Sequence, residues 1–242
     1  MSTNLEQDWR ARYDRWAGQH KADHMIAGWS ESGLSRRLAL VLRTIAAQKI
    51  HQGCLILDLG SGPGTYTRSL TELGYRCVAV DYSFNVAKLA KSRDRSGTYL
   101  QGEAYHLPFR NDRFDALICV GVLQSLQSIN EAICEMQRVL RPGGYLFLDG
   151  LNSLFWLHGV RSINEALRRL PRRMKYYNPL GLSRMLEQIG LSAPQLHWLA
   201  VPELAQKIYC SENANRSRLL SLLFGHAFLI VAQKLSFQTG RS

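Results

Sequence analysis

A doubly wound α/β fold built on a mostly parallel sheet is the class this sequence predicts, and three observations predict it. The run from Cys54 to Leu59 is apolar except for Asp58, as in a strand buried on both faces of a parallel sheet. A turn containing Gly60, Gly62 and Gly64 follows, with a helix expected over 65–73. Strand-like and helix-like segments then alternate along the chain, the pattern of such a sheet.

Taken in order, residues 1–50 read as helices joined by a polar loop, with Trp9, Tyr13 and Trp16 at helical spacing and an amphipathic helix from Ser35 to Gln48. Strands are expected at Arg76–Val80, closing on Asp81, and at Tyr99–Gly102, Phe114–Val120 and Tyr145–Asp149. Helices are expected at Ser83–Ser92 and Ile129–Leu140. In sheets of this kind the ligand sits beyond the carboxyl ends of the strands, where Gly60, Asp81, Glu103 and Val120 fall. Ser183–Ile189 reads as a helix, and Gln195–Val201 and Ala227–Lys234 as closing strands.

The 242 residues suit one domain with a sizeable core. Lysine and arginine number 30 against 19 acids, a net charge of +11. That balance favours an anionic partner, whether nucleic acid, acidic carrier, phosphorylated substrate or membrane surface, without choosing among them. Cys54, Cys77, Cys119, Cys134 and Cys210 form no C-x-x-C pair, as expected of reduced thiols in a cytoplasmic protein. The charged N-terminus lacks the apolar run of an export signal, and the apolar stretch 219–232 is shorter than the ~20 residues a bilayer span needs. No transmembrane segment is expected, while peripheral membrane contact stays open, as does oligomeric state.

The glycine turn alone is ambiguous, because several nucleotide-binding folds use one. Thr65 and Tyr66 follow Gly64, so the lysine of a phosphate loop is missing. The spacing closes as G-x-G-x-G rather than in the dinucleotide pattern, and nicotinamide binding becomes the runner-up. Asp81, some 20 residues beyond the turn, is placed for a ribose in either case. Further on come Gly102-Glu103-Ala104 ahead of Leu107-Pro108-Phe109, then Phe114-Asp115-Ala116-Leu117-Ile118-Cys119, then Val139-Leu140-Arg141-Pro142-Gly143-Gly144-Tyr145-Leu146. With these motifs in order over 55–149, the chain resembles the class I S-adenosylmethionine-dependent methyltransferases of small molecules.

The resemblance implies a seven-stranded Rossmann-like sheet in a single domain over 1–242. It would comprise a helical cap (1–50), a cofactor-binding core (51–150), a lid over the acceptor (151–181) and the closing part of the sheet (182–242). It implies S-adenosylmethionine as cofactor, released as S-adenosylhomocysteine, with no metal. Free amides around Gly60, Ser61, Gly62 and Gly64 would take the methionine portion and ribose, and Asp58 would orient that end through the loop. Asp81 would take the ribose hydroxyls, Tyr82 the adenine face, Glu103 and Ala104 the adenine edge. Val120 would lie near the amino-acid end, and Tyr13 of the cap would line the site.

The acceptor is less legible. The Cys119-Val120-Gly121-Val122-Leu123-Gln124 run lacks the proline-rich motif of enzymes that methylate nucleobase amines, and no carboxylates stand there to hold magnesium. Nucleic acid is therefore disfavoured as a partner, and a small-molecule acceptor is expected, anionic, lipid-like or carrier-attached. A hydroxyl acceptor needs a base, for which His106, His158, His20 and His24 are the candidates. In the basic, aromatic segment after the fifth strand, Trp156, Tyr176, Arg169 and Arg173, with Gln124, are candidate acceptor contacts. O-methylation leads N-methylation, RNA methylation and binding without catalysis.

Overall fold

In the computed structural model, residues 5–168, 174–200, 222 and 225–236 are described. Three N-terminal helices, α1 (Leu5–Gln19), α2 (Asp23–Ile26) and α3 (Glu31–Ala47), precede the sheet. Then come β1 (Leu55–Leu59), α4 (Thr65–Glu72), β2 (Arg76–Asp81), α5 (Phe84–Arg93), β3 (Thr98–Gln101) and β4 (Phe114–Cys119). The chain continues with α6 (Ile129–Val139), β5 (Leu140–Leu151), α7 (Trp156–Leu167), α8 (Pro179–Gln188), β6 (Leu191–Ala200) and β7 (Gly225–Lys234). The seven strands form one sheet in the order β3-β2-β1-β4-β5-β7-β6. Six strands run in one direction, and β7 runs against them between β5 and β6.

The period-2 alternation of the strands divides the core into two layers. Ile56, Ala116, Ile118, Phe147, Leu229 and Val231 face α3 and α4, meeting Leu40, Val41, Ile45 and Leu70. Leu57, Leu117, Cys119, Leu146, Phe228 and Ile230 face the other way, against Ile133 and Met136 of α6 and Leu182 and Leu186 of α8. Cys119 is thus a core thiol, and burial pushes its ionisation well above the ordinary range.

Several helix starts are set by side chains that satisfy otherwise unpaired amides. Ser30 accepts from the amide of Gly33 at the head of α3, Ser83 from Val86 at α5, and Asn178 from Leu180 and Gly181 at α8. The expected lid contains α7, an extra helix after β5. Among the described residues, no helix is long and apolar enough to cross a membrane.

Candidate active site

At the carboxyl end of β1 the chain must reverse into α4 beneath the loop after β4. Gly60 does this at φ 73°, and a Cβ there would stand 2.1 Å from Cγ2 of Val122, so no other residue fits without moving the loop. The amides of the turn are spent within the protein, contrary to the expectation that they stay free. Gly60 and Ser61 donate to the carbonyl of Val80 at 2.7 and 3.1 Å, and Gly64 donates to the carbonyl of Ser61 at 3.0 Å. Gly62 donates to Oδ2 of Asp81 at 2.8 Å. The turn's contribution is therefore steric closeness and carbonyl placement rather than a row of open donors.

Asp81 closes β2 and is held at both oxygens, since Oδ1 accepts from the amide of Ser83 at 2.8 Å. Burial raises its ionisation to about 6, against the lowering effect of those two amides. Asp58 lies below it inside β1, accepting from Oγ1 of Thr67 at 2.6 Å. Burial, opposed by that hydrogen bond and assisted by the charge of Asp81, raises Asp58 to about 7. Asp58 therefore anchors α4 to β1.

A cavity opens above these strand ends. Its floor includes Gly60, Ser61, Gly62, Asp81, Tyr82, Gly102, Glu103, Ala104, Val120 and Gly121. Its roof comes from the N-terminal helices, with Glu6, Trp9, Arg10 and Tyr13 of α1, Trp29 from the connection and Leu34 of α3; Val122 and Leu126 close one side. The roof is fastened by carboxylates. Glu6 accepts from the hydroxyl of Tyr105 and from the amide of Gln127. Asp14 accepts from Oγ of Ser83 at 2.5 Å, and Asp23 accepts from Oγ1 of Thr65 at 2.6 Å and pairs with Arg68 and Arg93.

Two hydroxyls in this cavity have no protein partner among the described residues. Ser61 Oγ and Tyr66 Oη are unpaired although the residues are only 4% and 5% exposed. An unsatisfied buried hydroxyl costs about 1–3 kcal/mol unless a ligand or water meets it, so the pair points to a polar ligand over the glycine turn. Burial raises the Tyr66 phenol far above its ordinary range and keeps it a donor. Beneath, Arg37 of α3 donates to Oδ2 of Asp149 at 3.3 Å, and Oδ1 of Asp149 accepts from the amide of Gly121 at 2.7 Å. Trp29 stacks on the Arg37 guanidinium at 4.5 Å.

Of the cofactor residues expected from sequence, Tyr13, Gly60, Ser61, Gly62, Asp81, Tyr82, Glu103, Ala104 and Val120 all border this cavity, whereas Asp58 and Gly64 are not among its walls. The four histidines are not among them either. His158 Nδ1 lies 2.8 Å from the carbonyl of Asn152, its ring 4.4 Å from that of Tyr176. His106 forms a bridge with Glu103, His20 packs near Trp16, and His24 belongs to α2. Gln124 is buried, donating to the carbonyl of Gly121, and Trp156 is exposed on α7. Arg169 and Arg173 lie outside the described residues. Tyr66, Trp29, Tyr105, Glu6 and Arg10 escaped the sequence reading. Tyr66, two residues beyond the last glycine of the turn, carried the clearest signal.

A carboxylate at the end of β2, an acid at the end of β3 and a glycine turn after β1 define a nucleoside-cofactor site of the doubly wound class. Residues 57–148 match the family model described as a methyltransferase domain. That match covers less than half of the chain and makes the stretch carrying the glycine turn, Asp81 and Glu103 similar to methyltransferase domains.

Among curated relatives, it is 36% identical over 116 residues to the demethylmenaquinone methyltransferase of Thermobifida fusca, covering 46% of this chain and 49% of that protein. It is 35% identical over 150 residues to the enzyme of the same name from Mycobacterium bovis, covering 60% of this chain and 63% of that one. The matched stretch thus spans from just under half to less than two thirds of these relatives. Magnesium protoporphyrin IX methyltransferase of Synechocystis PCC 6803, solved with bound S-adenosylhomocysteine, shares the fold. Its TM-score is 0.65 at 14% identity, over 95% of both chains.

Proposed function

We propose that this protein transfers the methyl group of S-adenosylmethionine to a small, largely apolar, lipid-like acceptor, at an oxygen. The observation that carries the reading is one continuous cavity with two characters. Asp81, Glu103, Ser61 and Tyr66 supply polar groups over the strand ends, and Trp9, Trp29, Leu34, Val122 and Leu126 supply an apolar wall under the helical roof. The name shared by the demethylmenaquinone methyltransferases supports the acceptor class, a lipid-like quinone, and lends nothing to oxygen as the atom methylated, since the methyl group that menaquinone has and demethylmenaquinone lacks is on a ring carbon.

The cofactor, when bound, supplies an electrophilic methyl carbon. Asp81 would accept from the ribose hydroxyls, Glu103 from the adenine amino group, and the Ser61 and Tyr66 hydroxyls would meet polar atoms over the turn. Displacement at that carbon needs the acceptor oxygen held in line, and most of the rate comes from positioning and exclusion of water, which the roof performs. Glu6, a cavity carboxylate that also accepts from Tyr105 and Gln127, would be the candidate to take the acceptor's proton.

The test is incubation with methyl-labelled cofactor and a panel of acceptors, comprising a demethylated quinol, a phosphate-bearing phenol, a carrier-attached acyl phenol and RNA. Labelled quinol methylated at oxygen is the expected product. Label on carbon would overturn the oxygen assignment, label on the charged acceptors or RNA would overturn the apolar acceptor, and cofactor binding without any transfer would make this a binding protein.

A further inference from the structure

Helix α7 carries an apolar stripe that the protein leaves in solvent. Trp156, Val160, Ile163 and Leu167 are 48%, 56%, 63% and 79% exposed. At 100° per residue these four fall within about 60° of one another, a single face. His158 lies roughly opposite, against Phe155 and Tyr176, so the helix is docked by its other side and the stripe points outward.

The sequence directly after this helix is strongly basic, although Glu165 lies within α7 itself. From Arg168 to Lys175 the sequence reads RRLPRRMK, with five cations and no acid, and the chain as a whole carries +11. A helix with a tryptophan and aliphatic residues on one exposed face, followed in sequence by a run of cations in a chain of net charge +11, suits the boundary layer of an anionic bilayer. A second copy of this chain would bring the same cations against themselves, which disfavours self-association through the stripe.

The chain beyond the stripe reaches the cavity wall. Helix α7 follows β5, the strand whose Asp149 holds the loop at Gly121, and the segment after it returns to the cavity wall. There Nζ of Lys175 donates to the carbonyls of Leu126 and Gln127 at 2.6 and 2.9 Å, and its amide donates to the carbonyl of Gln124 at 3.0 Å. Leu126 is part of the apolar wall.

We propose that the exposed face of α7 docks this protein on an anionic lipid surface, placing the cavity beside the layer that holds a lipid-like acceptor. The inference rests on the acceptor class proposed above. It is tested with the full chain by flotation with vesicles of phosphatidylcholine containing phosphatidylglycerol and with vesicles of phosphatidylcholine alone. Wild type should float with the anionic vesicles, less so with neutral ones, and several-fold less as salt is raised. The triple variant Val160→Ser, Ile163→Ser, Leu167→Ser should lose at least about tenfold in vesicle affinity and keep its affinity for S-adenosylhomocysteine.

No binding of wild type to anionic vesicles overturns the proposal, as does equal binding by the triple variant. So does a dimer seen by light scattering that the variant dissolves, or a large loss of thermal stability in the variant, which would mean that protein covers the stripe. The two readings fail separately. Cofactor binding and quinol methylation without vesicle binding would leave the function and remove the docking surface. Vesicle binding lost in the variant, with no cofactor binding, would do the reverse.

Discussion

The carboxylate of Asp81 accepts a hydrogen bond from the amide of Gly62 at 2.8 Å, which ties the end of β2 to the crest of the glycine turn. Asp81 thus fixes the turn, and under the proposed function its remaining lone pairs would accept from a ribose. Asp81→Ala should cost about 1.5–3 kcal/mol of affinity for S-adenosylhomocysteine, measured by calorimetry. An unchanged dissociation constant would remove Asp81 from the site.

The same group sets a pH dependence. Burial places Asp81 near 6, and under the proposed function the ribose hydroxyls would donate to its ionised form. A ligand that prefers the ionised form lowers this ionisation in the complex, so affinity should rise from pH 5 toward pH 7 and then level off. The Asp81→Asn variant should show a flatter profile, and an identical slope in both proteins would assign the titration elsewhere.

Arg37 and Asp149 form an ion pair with side chains 8% and 4% exposed. Burial raises the Asp149 carboxyl and Arg37 opposes the rise, so Arg37→Met leaves a buried carboxylate without its partner. The expected loss of stability at neutral pH is about 3–5 kcal/mol. A raised folded-state acid loses stability as pH climbs from its unfolded value. The deficit of the variant should therefore shrink on acidification toward pH 4, as read from denaturant midpoints. A deficit equal at all pH values would assign it to lost packing on Trp29.

Gly60→Ala places a methyl group against Val122 at a left-handed backbone position. We expect destabilisation of about 1–3 kcal/mol together with weaker cofactor binding, since the loop carrying Val122 must move. Gly60→Ala with Val122→Ala should recover part of the loss. No recovery would show that the backbone angle dominates.

Because no described histidine borders the cavity, single replacements of His20, His24, His106 and His158 by Gln should leave turnover within about tenfold of wild type. A general base would cost about 10²–10⁴-fold. A loss of that size in one variant, with cofactor affinity intact, would restore that histidine as the base, and Glu6→Gln is the matching test of the carboxylate.

What the sequence by itself determined is local and periodic. The unbroken apolar run of β1, the glycines after it and the acids at 81 and 103 announced both the sheet and one end of the site, because strand period and turn chemistry are written in adjacent residues. Tertiary structure decided what depends on distant segments meeting. The glycine-turn amides look free in sequence, yet Val80 and Asp81 from the neighbouring strand consume them. Tyr66, Trp29 and Tyr105 become cavity walls only when α1 and α3 close over the strand ends. The histidines, plausible in a linear reading, do not line the cavity: His158 of α7 packs on the ring of Tyr176, and His106 lies in the connection after β3, bridged to Glu103.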